Sequence, residues 1–163
     1  MIIRRAEEHD IPQLISLLYQ VHKVHSDARP DLFRAGTKKY TEAELTALIP
    51  NGDRPIFVAD EDGRILGYAF CVYQEPKAVS MQPIRTLYID DLCVDGNTRG
   101  KGVGKALYHF VLETAAQTGC YNVTLNVWAC NPSALRFYEK CGLSVQKIGM
   151  EQIIGQEKSA EKA

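Results

Sequence analysis

The segment Arg99-Gly100-Lys101-Gly102-Val103-Gly104-Lys105 combines three alternating glycines with basic residues. Glycines let a backbone approach a ligand with no Cβ in the way. Arg99 and Lys101 bring positive charge to the same corner. A strand-like run ends just before it, and a helical run begins at Val103. Free backbone N–H groups and a helix dipole therefore favour an anion there. Two common phosphate sites are excluded by spacing. A P-loop requires G-x-x-x-x-G-K-[ST] and the dinucleotide fingerprint requires G-x-G-x-x-G, whereas this segment reads G-x-G-x-G.

Further downstream, Asn131-Pro132-Ser133 has the residues of a helix start, with Asn as cap and Pro at the first helical position. The same run carries Phe137, Tyr138 and Gly142. The Tyr138 hydroxyl is a candidate proton donor; the alternative is a core aromatic beside Phe137. Asp90 and Asp91 are candidate bases inside the strand-like run Arg85 to Val94. Adjacent strand residues face opposite sides, so only one should face a given slot, and Asp90 leads Asp91 for that place. His22 and His25 stand three apart on the first helical run, with Asp27, Arg29 and Asp31 close behind. They are candidates for an acceptor pocket, or else surface residues. Trp128 is a candidate for lining the slot, or else core. Lys38 and Lys39 read as solvated charge.

The elements that must hold these residues follow from periodicity. Met1 to Arg5 reads as an edge strand. Apolar residues from Ile11 to Val24 recur at helical spacing, with Asp10 placed to cap. An irregular stretch from Ser26 to Thr41 precedes a short helix from Glu42 to Ile49. Pro55 to Ala59 and Arg64 to Tyr73 read as strands, and Asp62-Gly63 between them is a hairpin signal. A helix from Val103 to Thr118 ends at Gly119. Asn122 to Trp128 reads as a strand, and Leu143 to Ile154 as a final strand or pair of strand pieces. The order β-α-α-β-β-β-α-β-α-β predicts one α/β (α+β) domain with a mixed sheet and helices on both faces.

The two constellations together resemble the GNAT superfamily of N-acetyltransferases. That family's phosphate pattern, [QR]-x-x-G-x-[GA], appears as Arg99-x-x-Gly102-x-Gly104, directly after Leu92-Cys93-Val94. Its second landmark, an Asn opening a short helix that carries Phe-Tyr and ends at Gly, appears as Asn131 to Gly142. The resemblance covers roughly Ile2 to Ile154. It implies a mostly antiparallel sheet whose fourth and fifth strands splay into a V-shaped slot. The amides of Gly100 to Lys105 would cradle the pyrophosphate of acetyl-CoA. The backbone of Leu92, Cys93 and Val94 would pair with the pantetheine arm, Asn131 and Ser133 would contact that arm, and Tyr138 would face the sulfur. The polyamine acetyltransferases, a similar branch, carry an acid where Asp90 stands. The implied reaction is direct acetyl transfer to a primary amine of a small molecule. A protein N-terminal or lysine amine is the alternative acceptor, and an idle CoA-binding module is the reading from another class. The family often forms dimers, so a homodimer is an expectation.

Composition agrees with this. The 163 residues predict one domain over 1–154 and a polar tail over 155–163. A net charge of −1 and a pI near 6.4 argue against nucleic-acid or membrane partners held by bulk charge. The five cysteines, Cys71, Cys93, Cys120, Cys130 and Cys141, form no C-x-x-C. They are expected to be small core residues, with no disulfide framework and no metal site, in a reducing cytoplasm. The N-terminus has no secretory pattern, and no apolar run reaches the ~18 residues of a membrane span.

Overall fold

In a computed structural model, which describes residues 1–155, the chain forms β1 (Ile2–Arg5), α1 (Ile11–Ala28), α2 (Glu42–Leu48), β2 (Ile56–Glu61), β3 (Arg64–Gln74), β4 (Thr86–Val94), α3 (Val103–Gln117), β5 (Asn122–Leu125) and α4 (Pro132–Lys140). The five strands lie in the order β1-β2-β3-β4-β5. The pairs from β1 to β4 are antiparallel, and β4 pairs with β5 in parallel. The β2–β3 hairpin turns on Asp62 and Gly63, both at positive φ (52° and 84°). That is the geometry whose twist matches the flanking strands.

Both faces of the sheet are covered, so β3 is buried continuously from Ile65 to Cys71. On one face Leu14, Leu17 and Leu18 of α1 and Leu45 of α2 pack with Val58, Tyr68 and Phe70. On the other, Leu107, Val111 and Ala115 of α3 pack with Ala59, Ala69 and Leu87. The anticipated class, with helices on both faces of a mixed sheet, is the observed one.

Asp10 does not cap α1. Its carboxylate is 1% exposed and accepts from the two Nη groups of Arg4, at 2.8 and 2.9 Å, and from the Glu7 N–H at 2.8 Å. Burial alone would raise its pKa, but Arg4 and the Glu7 amide win, and it sits below the ordinary value. An acid with a depressed folded pKa contributes stability above its unfolded pKa and loses it as pH falls through the folded one. Removing one partner of a buried pair costs about 3–5 kcal/mol. Asp10→Ala is therefore expected to destabilise by about 3 kcal/mol at neutral pH in chemical denaturation, with the deficit shrinking in acid. A loss under about 1 kcal/mol contradicts this pairing account.

Two expected elements differ. The strand anticipated from Asn122 to Trp128 stops at Leu125, while β4 runs on to Val94. The pairing ends at Ile89↔Leu125, and beyond it β4 and the chain that follows β5, Asn126 to Trp128, splay around a slot. The strand anticipated over Leu143 to Ile154 is absent. Its apolar alternation is real, but a strand needs a ladder partner, and this segment has none among the described residues. Val145, Ile148 and Met150 stand 62%, 80% and 94% exposed. The irregular stretch expected from Ser26 begins at Arg29, because α1 runs on to Ala28. Cys71 and Cys93 are buried as expected, but Cys130 is exposed, and all five thiols are free. The expected polar tail, apart from Gly155, lies outside the described residues.

Candidate active site

The splay opens a slot beside β4. Asp95 N–H donates to Leu66 O at 2.8 Å, on the β3 side. Alternation along the extended chain turns the N–H groups of Leu92 and Val94 the other way, toward the slot. The Cys93 side chain points instead into the α1 face, its thiol 3.6 Å from Leu17 O.

The premise that only one of Asp90 and Asp91 can face the slot is corrected. Register shifts between Phe70 and Cys71: Asp91 pairs with Phe70 and Ile89 with Cys71, leaving Asp90 as an extra residue. Such a bulge breaks strict alternation and re-aims side chains. Both aspartates line the same 90 Å³ slot, with His25, Trp128, Asn131 and Tyr138. A larger cavity of 1650 Å³ shares most of these residues and adds His22, Arg29, Phe33 and Lys39.

The two carboxylates have different surroundings. Asp90 accepts from the Tyr40 hydroxyl at 2.7 Å and forms an ion pair with Lys39 Nζ at 2.8 Å. Lys39 is thus part of the site and not merely solvated charge. Asp91 accepts from the Tyr68 hydroxyl at 2.9 Å. Burial pushes the Asp91 carboxyl up to about 6, against the pull of the Tyr68 hydrogen bond and of Lys39. Burial also pushes the Tyr138 phenol above its ordinary value, and the Asp91 charge adds to this. At neutral pH, Asp91 is therefore mostly an acceptor and Tyr138 a donor. The Tyr138 ring packs edge-on to Phe137 at 5.0 Å and lies 6.4 Å from Tyr108.

The glycine-rich turn leads into α3. Gly102 is at φ 80° and caps the helix without a side chain. The first intrahelical bond is Ala106 N–H to Gly102 O, at 3.0 Å, which leaves the amides of Val103, Gly104 and Lys105 pointing out of the helix end. Gly100 shares the positive φ, and a Cβ at either glycine would meet nothing within 4 Å. Gly104 differs: a Cβ there would come 3.2 Å from Phe137 and 3.4 Å from Val94. Its small size lets α3 approach α4, so it serves packing more than ligand approach. Exposed Arg99 and Lys101 flank the amides. A diphosphate fits this end, and an extended arm fits the unpaired side of β4.

Asn131 caps α4 through Ala134 N–H at 3.2 Å and also accepts from the Ser133 hydroxyl at 2.9 Å. His22 lines the large cavity, but its Nε2 is tied to the connector at Arg34 O (2.7 Å) and Thr37 Oγ1 (3.0 Å). His25 stacks on Phe33, which meets the Trp128 edge. Tyr68, Tyr40 and Phe33 were not singled out from sequence. For Tyr68 a signal existed: a hydroxyl inside an apolar run must find a partner when buried. Among the described residues, no group of three or more His, Cys, Asp or Glu could hold a metal ion, and no helix is long and apolar enough to cross a membrane.

Comparison with known proteins agrees with this architecture. The profile of the acetyltransferase (GNAT) family matches residues 18–143. A probable glucosamine 6-phosphate N-acetyltransferase 2 of Oryza sativa is 31% identical over 153 residues, 91% of this chain and 84% of that protein. The glucosamine 6-phosphate N-acetyltransferase of Arabidopsis thaliana is 38% identical over 65 residues, which span 40% of this chain and only 42% of that protein. The crystal structure of a mutant BH1408 protein from Bacillus halodurans superimposes with a TM-score of 0.89 at 30% identity, covering 94% of this chain and 99% of that one. With the splayed strands, the glycine-rich helix start and a family match over most of its length, this chain belongs to the GNAT family of acetyltransferases and is an acyltransferase that acts on nitrogen.

Proposed function

We propose that the protein transfers the acetyl group of acetyl-CoA directly to a primary amine of a small molecule. Asp91 takes the proton from the amine and Tyr138 gives one to the departing sulfur. One observation carries this reading: the carboxyl of Asp91, which burial pushes up to about 6, and the hydroxyl-bearing Tyr138 line the same slot beside β4. Two titratable groups whose surroundings set different protonation states mark an acid–base assignment.

The residues divide the work. The α3 amides, with Arg99 and Lys101, hold the pyrophosphate. The unpaired side of β4 orients the arm, and Asn131 and Ser133 border it from α4. Acetyl-CoA, when bound, supplies the activated thioester. An alkylamine has a pKa near 10.4, so a base must take its proton at neutral pH. Asp91, with Tyr68 holding one oxygen, supplies it. The Val94 N–H faces the slot and stabilises negative charge forming on the carbonyl oxygen. A thiol pKa near 8.5 makes thiolate a mediocre leaving group, which the Tyr138 proton remedies.

A small acceptor is favoured over a protein by the connector at 29–41. Its Phe33 meets Trp128 with ring centroids 5.3 Å apart, and its Arg29 pairs with Glu151, all four lining the large cavity. A polypeptide substrate requires an open groove there. An idle CoA-binding module has no need of a carboxyl and a phenol brought to one slot, as Asp91 and Tyr138 are. The direct test is CoA release from acetyl-CoA with a panel of small amines and lysine peptides. Release with a small amine and none with peptides is expected; the reverse overturns the acceptor assignment.

Tyr68 gives a second check. Its hydrogen bond favours the ionised form of Asp91. Such bonds to charged groups are worth about 1.5–3 kcal/mol, and one pKa unit is 1.36 kcal/mol. Tyr68→Phe is therefore expected to move the acidic limb of the kcat/KM profile up by about one pH unit or more. An unmoved limb in a folded variant separates Tyr68 from the base.

A further inference from the structure

Resting on the small-molecule reading and deepening it, we infer that the acceptor amine carries an apolar, aromatic-compatible body and no phosphate. The wall beyond the aspartates is aromatic. Phe33 stacks on His25 with centroids 5.3 Å apart and planes at 28°, and meets Trp128 edge-on at 5.3 Å and 85°. Leu32 and Trp128 stand 50% and 44% exposed, and both line the large cavity. His25 is held toward its neutral form by burial and by the charges of His22 and Lys39, so its ring adds a flat, uncharged surface.

Arg29 and Lys39, two of the cations that line this cavity, are already engaged. Arg29 directs Nε and one Nη at the Asp31 carboxylate, at 2.8 and 2.7 Å, and its other Nη at Glu151. Lys39 is 2.8 Å from Asp90. Lys147 makes no ion pair among the described residues, but a single surface cation contributes only about 0–1 kcal/mol. Four carboxylates line the cavity: Asp90, Asp91, Glu139 and Glu151. A phosphate would have to break an Arg29 or Lys39 pair and sit near like charge. An ammonium group entering toward Asp90 and Asp91 meets attraction, and its organic body meets the rings. This differs from the substrate in the names of the plant relatives, a sugar phosphate.

The test uses the full chain and acetyl-CoA, with CoA release measured on 2-phenylethylamine, glucosamine and glucosamine 6-phosphate. The expected result is a kcat/KM for 2-phenylethylamine at least about tenfold above that for glucosamine 6-phosphate. Aromatic pairs contribute about 0.5–1.5 kcal/mol beyond area burial. Phe33→Ala is therefore expected to lower kcat/KM on 2-phenylethylamine about tenfold, with little change in the acetyl-CoA KM, and Phe33→Leu is expected to fall between. Preference for glucosamine 6-phosphate overturns this inference and leaves the small-molecule reading standing. An equal loss on all three amines in Phe33→Ala makes Phe33 a scaffold residue and also overturns it. No release with any amine, while calorimetry shows acetyl-CoA bound, sinks the small-molecule reading and this inference with it.

Discussion

Tyr138→Phe is expected to lower kcat by about 10²–10⁴-fold, the usual worth of a positioned general acid. The ring packs against Phe137 and Tyr108 without help from its hydroxyl, so the fold survives the change. The loss should fall on kcat and spare the acetyl-CoA KM, because a proton needed only as the thiolate forms acts on the transition state. It should also shrink with a thioester of a more acidic thiol, which departs unaided. A near-wild-type rate, with chemistry shown to be rate-limiting, makes Tyr138 a core aromatic.

Asp91→Asn is expected to lower kcat/KM by a similar factor at neutral pH and to erase the acidic limb near 6. The sign follows from the raised pKa. Below about 6 the carboxyl holds a proton and cannot accept another; above it the base is competent. The variant's deficit should narrow as pH approaches the amine's own pKa, where the amine needs no base. Asparagine keeps an oxygen for the Tyr68 hydroxyl, so thermal melting should change little. Asp90→Asn, by contrast, removes the charge facing Lys39 and should retain the limb near 6. If the limb persists in Asp91→Asn and vanishes in Asp90→Asn, the two roles are exchanged.

The sequence carried the site's frame but not its fine placement. The helix start at Val103, the Asn131 cap and the Asp62-Gly63 hairpin are local events, dictated by glycine conformation and capping chemistry within a few residues. The phase of Asp90 and Asp91 is not local. It depends on a register shift opposite Phe70 and Cys71, and strand alternation read from one strand cannot contain a bulge formed with its neighbour. Asp10 has the spacing of a cap, yet the Arg4 guanidinium took its carboxylate. Lys39 read as surface charge because its partner, Asp90, is 51 residues away in the chain. Leu143 to Ile154 has strand-like alternation, but pairing is decided by which edges are within reach. The aromatic wall joins α1, the connector and the loop after β5, so no single window of sequence displays it.

The slot beside β4 is proposed to hold the acetyl thioester between Asp91 and Tyr138. A crystal structure with acetyl-CoA, or with CoA and an amine, tests it most directly. The expected result is the pyrophosphate on the amides of Val103, Gly104 and Lys105, the arm hydrogen-bonded along Leu92 to Val94, and the sulfur within hydrogen-bond reach of the Tyr138 hydroxyl. A ligand bound elsewhere on the molecule, or a thioester turned away from both Asp91 and Tyr138, would contradict it.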